Sequence, residues 1–297
     1  MTKLAVRGFG TLAGAQAPGR GSPRDPWRQD DETSRLSAAE RGRAEALSVP
    51  ADAVPLVLLH AFPLSSLMWE PMAAELPELA ILTVDLPGAG FSPLIEPATI
   101  QAAGRAVIAS LRALGVTRAV VGGISMGGYV AMSIMRDAPE LLAGAILMHT
   151  KARADDPAAR AARLATARQA LAADSTEALA PMAAKMVSAA SRASSPGLVE
   201  TIERWIAAAT PAGVAWAEEA MAGREDLLAV LTASGLPTTL LAGVEDPFTP
   251  VAAAEEMAEA IGPGGNLAVL ADVAHLGPLE APNMTARLVR EAYRRMV

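Results

Sequence analysis

A serine flanked by glycines is the feature of this sequence with the clearest potential for chemistry. Residues 122–128 read Gly-Gly-Ile-Ser-Met-Gly-Gly and contain the pattern Gly123-x-Ser125-x-Gly127. The pattern follows an apolar stretch typical of a strand and opens a stretch typical of a helix, which is the context of a nucleophile elbow. Glycines permit the sharp turn, and the turn places the serine Oγ at a helix N-terminus, where the helix dipole favours developing negative charge. We therefore expect Ser125 to be a nucleophile.

A serine hydroxyl is a weak nucleophile at neutral pH, so Ser125 needs a general base. The chain contains three histidines, His60, His149 and His275. His275 lies in a loop between the last predicted strand and the last predicted helix, and such loops gather at the carboxyl edge of a parallel sheet. His149 also ends a predicted strand, but its neighbours match no nucleophile–base pattern. We expect His275 to be the base.

The base in turn needs a carboxylate that orients its ring. Asp246 follows an apolar run that predicts a strand, so it lies at the same predicted sheet edge as His275. Glu245, its neighbour, and Asp272, which is closer to His275 in sequence, are alternatives. Asp246 is the favoured choice, which gives the chain order Ser125, Asp246, His275.

Short apolar runs that alternate with helical stretches form the framework that positions these residues. Strands with two apolar faces, separated by helices, are typical of a mostly parallel sheet covered on both sides. The predicted fold class is therefore α/β. The strands are predicted at 54–59, 80–84, 119–122, 143–148, 238–242 and 267–270, and the helices at 66–76, 99–114, 126–136, 251–261 and 283–296.

The N-terminal segment differs in composition from the rest of the chain. Residues 1–53 are rich in Gly, Pro, Arg, Asp and Glu and are of low complexity. Such a segment buries too little apolar surface to offset the entropy of ordering. We expect a largely disordered extension, with short strands near Leu4–Val6 and Ala46–Val49.

A second segment interrupts the alternation of strands and helices. Residues 151–234 are rich in alanine, show no strand pattern and are divided by four prolines into several predicted helices. Because the segment lies between two strands of one sheet, we interpret it as a helical cap inserted into a core formed by residues 54–150 and 235–297. The alternative is a set of helices packed on the sheet edge.

Composition excludes several classes of protein. The chain has 25 Lys and Arg against 32 Asp and Glu, and this net charge of −7 argues against nucleic-acid or anionic-membrane partners. It has no cysteine, which excludes disulfides, thiolate metal sites and a cysteine nucleophile. Three histidines do not suit a histidine-rich metal site. We expect no metal and no organic cofactor.

The sequence also contains no recognisable targeting or membrane segment. No apolar run approaches the ~18 residues of a membrane span, and the N-terminus lacks the apolar core of a secretory signal. Asp30, Asp31 and Glu32 argue against an organelle transit peptide, because such peptides contain few acidic residues. We expect a cytoplasmic protein, and the sequence leaves its oligomeric state open.

The elbow, the order Ser…Asp…His and the alternating strands resemble the α/β-hydrolase superfamily over residues 54–297. Within it, Gly-Ile-Ser-Met-Gly-Gly-Tyr and residues 149–156 are most similar to bacterial 3-oxoadipate enol-lactonases and related small esterases. The four motifs that match, in order, are Leu59-His60-Ala61-Phe62-Pro63, Asp85-Leu86-Pro87-Gly88-Ala89-Gly90-Phe91-Ser92, the elbow, and the loops of Asp246 and His275.

The resemblance implies an oxyanion hole formed by the backbone N–H groups of Phe62 and Met126, and a structural role for His60 in fixing the loop. Two positions depart from the superfamily's pattern. Ala61 stands where a glycine is usual, and Ala89 stands where a histidine is usual. The first change restricts the backbone but keeps the amide N–H. The second is expected to change only local packing.

The resemblance thus implies a serine hydrolase that acts on a small-molecule carboxylic ester or lactone through an acyl-enzyme. Thioester hydrolysis, carbon–carbon bond hydrolysis and cofactor-free perhydrolysis use the same triad and remain alternatives, as does a non-catalytic protein that binds a small molecule. Epoxide hydrolases and haloalkane dehalogenases are disfavoured, because Ser125 stands where they carry aspartate.

Two further sets of residues are candidates for substrate contacts. Met182 and Met186 of the predicted cap would suit an apolar acyl group, although their i, i+4 spacing also suits a core position for at least one of them. Three arginines offer a charge for a substrate carboxylate but equally fit solvated helix positions: Arg136, Arg153 and Arg224.

Overall fold

The computed structural model describes residues 3–12, 49–50 and 52–297. These residues form one sheet of seven strands. The strands are β1 (Val6–Gly10), β2 (Leu56–Leu59), β3 (Ala80–Val84), β4 (Ala119–Ile124), β5 (Leu142–Met148), β6 (Thr238–Gly243) and β7 (Gly265–Leu270).

The sheet runs in the order β1-β3-β2-β4-β5-β6-β7. All neighbouring strands are parallel except β1, which pairs antiparallel with β3. Every residue of β2, β4, β5 and β6 is buried, because these central strands are covered on both faces. The α/β class with a mostly parallel sheet is confirmed.

Twelve α-helices accompany the sheet in the described residues. They are α1 (Glu70–Ala74), α2 (Ile100–Ala113), α3 (Met126–Asp137), α4 (Pro157–Ala173), α5 (Met182–Lys185), α6 (Ala189–Ser194), α7 (Gly197–Ala208), α8 (Pro211–Ala222), α9 (Leu228–Ser234), α10 (Val251–Ile261), α11 (Gly277–Glu280) and α12 (Pro282–Met296). A short 3₁₀ turn at Ser66–Trp69 leads into α1, so the helix expected at 66–76 begins as a tighter turn.

The helices of the core form two contacting groups. Helices α1 and α12 pack together, while α2, α3, α9 and α10 contact one another in succession. This grouping agrees with helices that cover both faces of a parallel sheet. Among the described helices, none has the length and apolar character needed to cross a lipid bilayer.

Strand β1 lies inside the segment that we assigned to a largely disordered extension. Its register aligns Val6 with Val84 of β3, and Leu4 and Val6 are buried. The amide of Ala5 donates to Ser92 Oγ at 2.8 Å. The short strand expected near Leu4–Val6 is thus present as β1 at Val6–Gly10, and residues 3–12 belong to the fold rather than to a disordered extension.

The other parts of that extension allow less comparison. The second short strand was expected at 46–49, of which only Val49 belongs to the described residues, and it lies outside every strand. The low apolar content of β1 has a physical reason. At the edge of the sheet, four of the five residues of this strand stay partly exposed, so the strand needs few apolar residues.

All the regular secondary structure between β5 and β6 is helical. Helix α4 packs along α8, and α7 packs against α5 and α6. The last helix, α9, instead contacts α3 and α10 of the core. The cap interpretation of residues 151–234 stays a prediction for α4–α8, whereas α9 packs as a core helix.

Candidate active site

Ser125 occupies the sharp turn between β4 and α3. Its backbone has φ 52° and ψ −115°, in the left-handed half of the map that non-glycine residues rarely adopt. The glycines around it are required by close backbone approach, because a Cβ on Gly123 would collide with the backbone of Gly127, and a Cβ on Gly127 with the carbonyl of Leu59. Ser125 is partly exposed. The local geometry is that of a strained turn that presents a serine.

Hydrogen bonds tie this turn to the end of the neighbouring strand β5. The Ser125 amide donates to the carbonyls of Met148 and His149, at 3.0 and 3.1 Å. The Thr150 hydroxyl donates to the Ser125 carbonyl at 2.8 Å. Backbone strain at Ser125 is thus offset by three hydrogen bonds from a single neighbouring segment.

Asp246 and His275 form a buried pair at the ends of β6 and β7. His275 Nδ1 lies 2.8 Å from Asp246 Oδ2, and both side chains are almost completely inaccessible to solvent. The ring of Phe248 lies 4.9 Å from the His275 ring, centroid to centroid. The structure thus brings together the acid and the base that the sequence predicted.

The carboxylate of Asp246 is held by the turn that follows it. Oδ1 accepts from the amides of Phe248 and Thr249 at 2.8 and 3.1 Å, and Oδ2 accepts from the Thr249 hydroxyl at 2.6 Å. Burial acts to raise the pKa of Asp246, but the imidazoles of His149 and His275 and the Thr249 hydroxyl outweigh it and lower the pKa well below its usual range. Asp246 is therefore an anion at neutral pH. Sequence reasoning missed Thr249, although an Asp that bonds the amide two residues on is typical of such a turn.

The two alternative acids lie elsewhere. Glu245 is exposed, and its Oε2 accepts from the Ala189 amide at 2.9 Å. Asp272 is also exposed, and its carbonyl accepts from the Ser188 hydroxyl at 2.8 Å. Of the three carboxylates considered, Asp246 is the one in contact with His275.

A carboxylate that sequence reasoning missed fixes the loop of His275. Glu280 Oε1 accepts from the amides of Ala274 and Leu276, both at 3.0 Å, on the two sides of the histidine. Its Oε2 accepts from the Ser188 amide at 2.7 Å. The spacing of Glu280 five residues after His275 is a possible signal, but nothing in the sequence alone shows that the chain folds back there.

Phe62 and Met126 border one cavity of about 300 Å³. Met126 is the first residue of α3, so its amide has no acceptor within the helix. Phe62 lies in the loop after β2. The two residues whose amides the resemblance assigns to an oxyanion hole thus line the same cavity. Met126 directly follows Ser125 in the sequence.

His60 supports the loop that carries Phe62. Its Nε2 accepts from the Leu86 amide at 2.9 Å, which assigns the proton to Nδ1, and Nδ1 donates to the Ala61 carbonyl at 2.9 Å. Burial lowers the pKa of His60. A neutral, fully hydrogen-bonded imidazole suits a structural role and does not suit a base.

Asp85 organises the neighbouring loop that follows β3. Its Oδ1 accepts from the Ser66 amide at 2.8 Å, and its Oδ2 accepts from the Phe91 amide at 3.1 Å. Gly90, with φ 52°, passes so close that a Cβ would collide with the Asp85 carboxylate. The carboxylate therefore holds the turn in which Ala89 stands.

Helices α7 and α8 supply the remaining wall of the cavity. Trp205, Val214 and Ala217 line it, whereas Met182 and Met186 do not. Contact of these methionines with an acyl group stays a prediction, whereas the core position expected for at least one of them is confirmed for Met186. Met186 is buried, and its carbonyl accepts from the His275 amide at 3.1 Å.

Arginines also border the cavity, but they are not those that the sequence suggested. Arg204 of α7 and Arg7 of β1 line it, and Arg7 lies 3.5 Å from Glu70. The three arginines considered from the sequence pair with carboxylates of the protein. Their partners are Asp137 and Glu225 for Arg136, Glu256 and Asp226 for Arg153, and Asp155 for Arg224.

No group of three or more His, Asp and Glu side chains within the described ranges is arranged to hold a metal ion. The chemistry that the described residues offer is nucleophilic attack by a serine, proton transfer by a histidine, and stabilisation of a negative oxygen by backbone amides.

Three proteins similar to this chain are named as an esterase, an enol-lactonase and a lipase. A thermophilic esterase structure from Thermogutta terrifontis, with malate bound, is 34% identical with a TM-score of 0.79 and covers 82% of this chain and 90% of its own. 3-Oxoadipate enol-lactonase 2 of Acinetobacter baylyi is 28% identical over 254 residues, which are 82% of this chain and 90% of that protein. Lipase LipV of Mycobacterium tuberculosis is 34% identical over 99 residues, or 33% of this chain and 38% of the lipase.

A family model described as the alpha/beta hydrolase fold matches residues 54–282, which is well over half of the chain. The matched residues include the turn of Ser125 and the loops that carry Asp246 and His275. It agrees with the sheet order and with the resemblance drawn from the motifs. The chain belongs to the alpha/beta hydrolase fold family.

Proposed function

We propose that this protein is a serine hydrolase that cleaves a carboxylic ester or lactone through an acyl-enzyme intermediate. The observation that carries the proposal is the buried hydrogen bond of 2.8 Å between His275 Nδ1 and Asp246 Oδ2. The strained turn at Ser125 supports it, as does the similarity to an esterase and an enol-lactonase.

In the first half-reaction, Ser125 Oγ attacks the carbonyl carbon of the substrate and gives its proton to His275 Nε2. Asp246 accepts the hydrogen bond of His275 Nδ1–H, which leaves Nε2 free to act as the base. The carbonyl oxygen takes up the electron pair and becomes negative. His275 then protonates the leaving alkoxide, and the acyl-enzyme remains.

The negative oxygen of the tetrahedral intermediate is assigned to the amides of Phe62 and Met126. One such donor typically lowers the barrier by ~3–4 kcal/mol, because it is fixed in place before charge develops. The hydrogen bonds of His60 and Asp85 keep the Phe62 loop from relaxing.

In the second half-reaction, water attacks the acyl carbon while His275 removes its proton. The Ser125 oxygen leaves and recovers the proton from His275, so the enzyme returns to its starting state. A lactone follows the same steps, except that its alcohol stays attached to the acyl chain. A small-molecule ester or lactone is thus the proposed partner, and a cytoplasmic location stays a prediction from the sequence.

Hydrolysis of p-nitrophenyl acetate and butyrate tests the proposal. The wild-type protein is expected to turn over both esters, and a fluorophosphonate is expected to add one label to the intact mass. Ser125→Ala should abolish both signals. Ser195→Ala, which changes a partly exposed serine between α6 and α7, is the matched control and should keep them.

The outcomes separate the alternatives. Equal labelling of wild type and Ser125→Ala removes Ser125 from the mechanism. If Ser125 is labelled but no ester is hydrolysed, thioesters, β-diketones and peracid formation are assayed next. Turnover in one of these assays identifies the reaction that the same triad catalyses. Neither labelling nor turnover on any of these substrates identifies a non-catalytic binding protein.

A further inference from the structure

His149 is a buried imidazole that the proposed mechanism does not use. It follows β5 directly and has φ 43°, in the left-handed region that is costly for a residue with a Cβ. Its side chain is 1% exposed, and within the described part of the chain neither ring nitrogen makes a hydrogen bond of ordinary geometry. Buried polar groups without a partner are rare and call for a functional or structural reason.

The ring lies beside the catalytic acid. His149 Nδ1 is 3.5 Å from Asp246 Oδ2, the same oxygen that contacts His275. The two imidazole rings are edge to face, with centroids 6.2 Å apart and an angle of 75° between their planes. The Asp246 carboxylate therefore lies between two histidines.

Three strand ends fix the position of His149. Its amide donates to the Leu241 carbonyl of β6 at 2.8 Å, and its carbonyl accepts from the Ser125 amide at 3.1 Å. In the His275 loop, Gly277 leaves room for the ring, because a Cβ there would lie 2.6 Å from His149 Nε2. The backbone that holds the nucleophile thus also places this imidazole against the acid.

We propose that His149 is a positioning residue that donates from Nδ1–H to Asp246 and thereby sets the basicity of His275. The inference rests on the proposed function. A distance of 3.5 Å exceeds an ordinary hydrogen bond, but catalytic hydrogen bonds are often long without substrate and shorten in the reacting complex.

The physical reason is competition for one oxygen. Asp246 Oδ2 stabilises the imidazolium that His275 becomes, and it already accepts from the Thr249 hydroxyl at 2.6 Å. A further donor on the same oxygen spreads its negative charge and weakens its attraction for the imidazolium. The His275 imidazolium is then stabilised less than it would be beside a carboxylate without this donor.

In the described residues, the titratable groups recorded against the His149 ring are Asp246 and His275. Other charged groups on the adjoining loops are engaged elsewhere. Glu245 and Glu280 accept from backbone amides, and Lys151 pairs with Asp155.

Histidine-selective NMR tests the inference without reference to turnover. The chain has three histidines, so their signals can be assigned by substitution. The wild-type protein is expected to show the Nδ1–H tautomer of His149. The Nε2–H tautomer would leave no donor toward Asp246 and would overturn the inference, even if no variant could be purified.

Variants add a quantitative test. In His149→Phe, which lacks a donor, the NMR titration midpoint of His275 and the acid limb of kcat/KM should both move upward by about 0.5–1 pH unit, the size that one hydrogen bond to a charged group supports. Thr249→Val, which removes the other side-chain donor to the same oxygen, should move them in the same direction.

His149→Asn is the conservative variant, because Asn keeps a nearby N–H and tolerates a positive φ, and should restore the wild-type midpoint to within about 0.3 pH unit.

The results distinguish failure of this inference from failure of the proposed function. A folded His149→Phe protein with an unchanged or lowered midpoint makes His149 a packing residue. A shifted NMR midpoint in a protein that hydrolyses no ester supports the inference and contradicts the proposed function. A difference between Asn and Phe that appears in the melting temperature alone also assigns His149 to packing.

Discussion

Glu280 holds the backbone on both sides of His275. Its carboxylate accepts from the amides of the residues directly before and after the histidine, and from the Ser188 amide across the loop. Three donors on one carboxylate fix the direction in which the loop projects its side chain. The last residue of α11 therefore fixes the backbone around His275 from its C-terminal side.

Replacing Glu280 should thus reduce catalysis without touching substrate. In Glu280→Gln, the amide nitrogen cannot accept a hydrogen bond, so at least one of the three amides loses its partner. We expect kcat to fall about 10- to 100-fold, since small displacements of a catalytic group are costly. Steady-state kinetics on p-nitrophenyl butyrate measure this. Glu291→Gln, on the exposed face of α12, is the control, and an equal loss in both variants would contradict the assignment.

Asp246 and Glu245 are neighbours that should respond very differently. Asp246→Asn is expected to lower kcat by several orders of magnitude, because the amide favours the wrong tautomer of the histidine. Glu245→Gln should change kcat by less than about threefold, since this side chain is exposed and bound to the Ala189 amide. The reverse ranking in single-turnover assays would move the orienting role to Glu245.

The three residues of the proposed triad could be singled out from the sequence because each lies in a local pattern. Ser125 needs glycines at fixed spacing, and Asp246 and His275 each follow an apolar run that predicts a strand. The parallel topology then brings these strand ends together, so a correct fold class suffices to place them at one edge.

His149, Arg204 and Arg7 could not be found in this way. The contact of His149 with Asp246 depends on a positive φ, which no local pattern required. Arg204 reaches the cavity because α7, which packs against α5 and α6, forms part of its wall, and Arg7 because β1 joins the edge of the sheet. Such contacts depend on tertiary packing between segments distant in sequence.

Strand β1 changes what truncation should do. Sequence reasoning predicts that deleting residues 1–40 leaves activity and melting temperature nearly unchanged. The structure places residues 3–12 in the sheet, with Leu4 and Val6 buried, so removing them exposes apolar surface and the edge of β3. We now expect deletion of residues 1–12 to lower the melting temperature by at least about 5 °C. Differential scanning calorimetry measures this.

A point variant tests the same contact without truncation. Leu4→Ala should lower the melting temperature, whereas Thr11→Ala, at the exposed end of the segment, should not. If neither the deletion nor Leu4→Ala changes it, β1 contributes nothing measurable to stability.

The cavity wall on α7 should control which acyl groups react. Trp205→Ala removes a large side chain from the lining and should change the ratio of kcat/KM between butyrate and octanoate esters about 10-fold or more. Met182→Ala is the matched control, because Met182 lies outside the lining. Fluorophosphonate labelling of Ser125 should persist in both variants. An unchanged ratio in Trp205→Ala would place the acyl group elsewhere.

A buried ion cluster behind the elbow should make stability depend on pH. Asp155 lies 2.6 Å from both Arg163 and Arg224. The Arg224 guanidinium stacks 4.3 Å from the ring centroid of Tyr129, a residue of α3. Burial acts to raise the pKa of Asp155, but the hydrogen bonds from Arg224 and Arg163 prevail and lower it well below its usual range. The cluster joins α4 and the end of α8 to α3.

The sign of the pH effect follows from linkage. A carboxylate whose pKa is lower in the folded than in the unfolded chain stabilises folding above the unfolded pKa, and this stabilisation is lost as the pH falls toward the folded value. Asp155→Asn should therefore lower the melting temperature most at pH 7, since it leaves the buried guanidinium of Arg224 without its anion, whereas the partly exposed Arg163 keeps Glu218. The difference from wild type should narrow below about pH 4, where the unfolded carboxyl is protonated. Asp226→Asn removes the exposed partner of Arg153 and should change the melting temperature by less than about 2 °C at any pH. A constant difference between wild type and Asp155→Asn from pH 7 to pH 3 would show that Asp155 acts through packing alone.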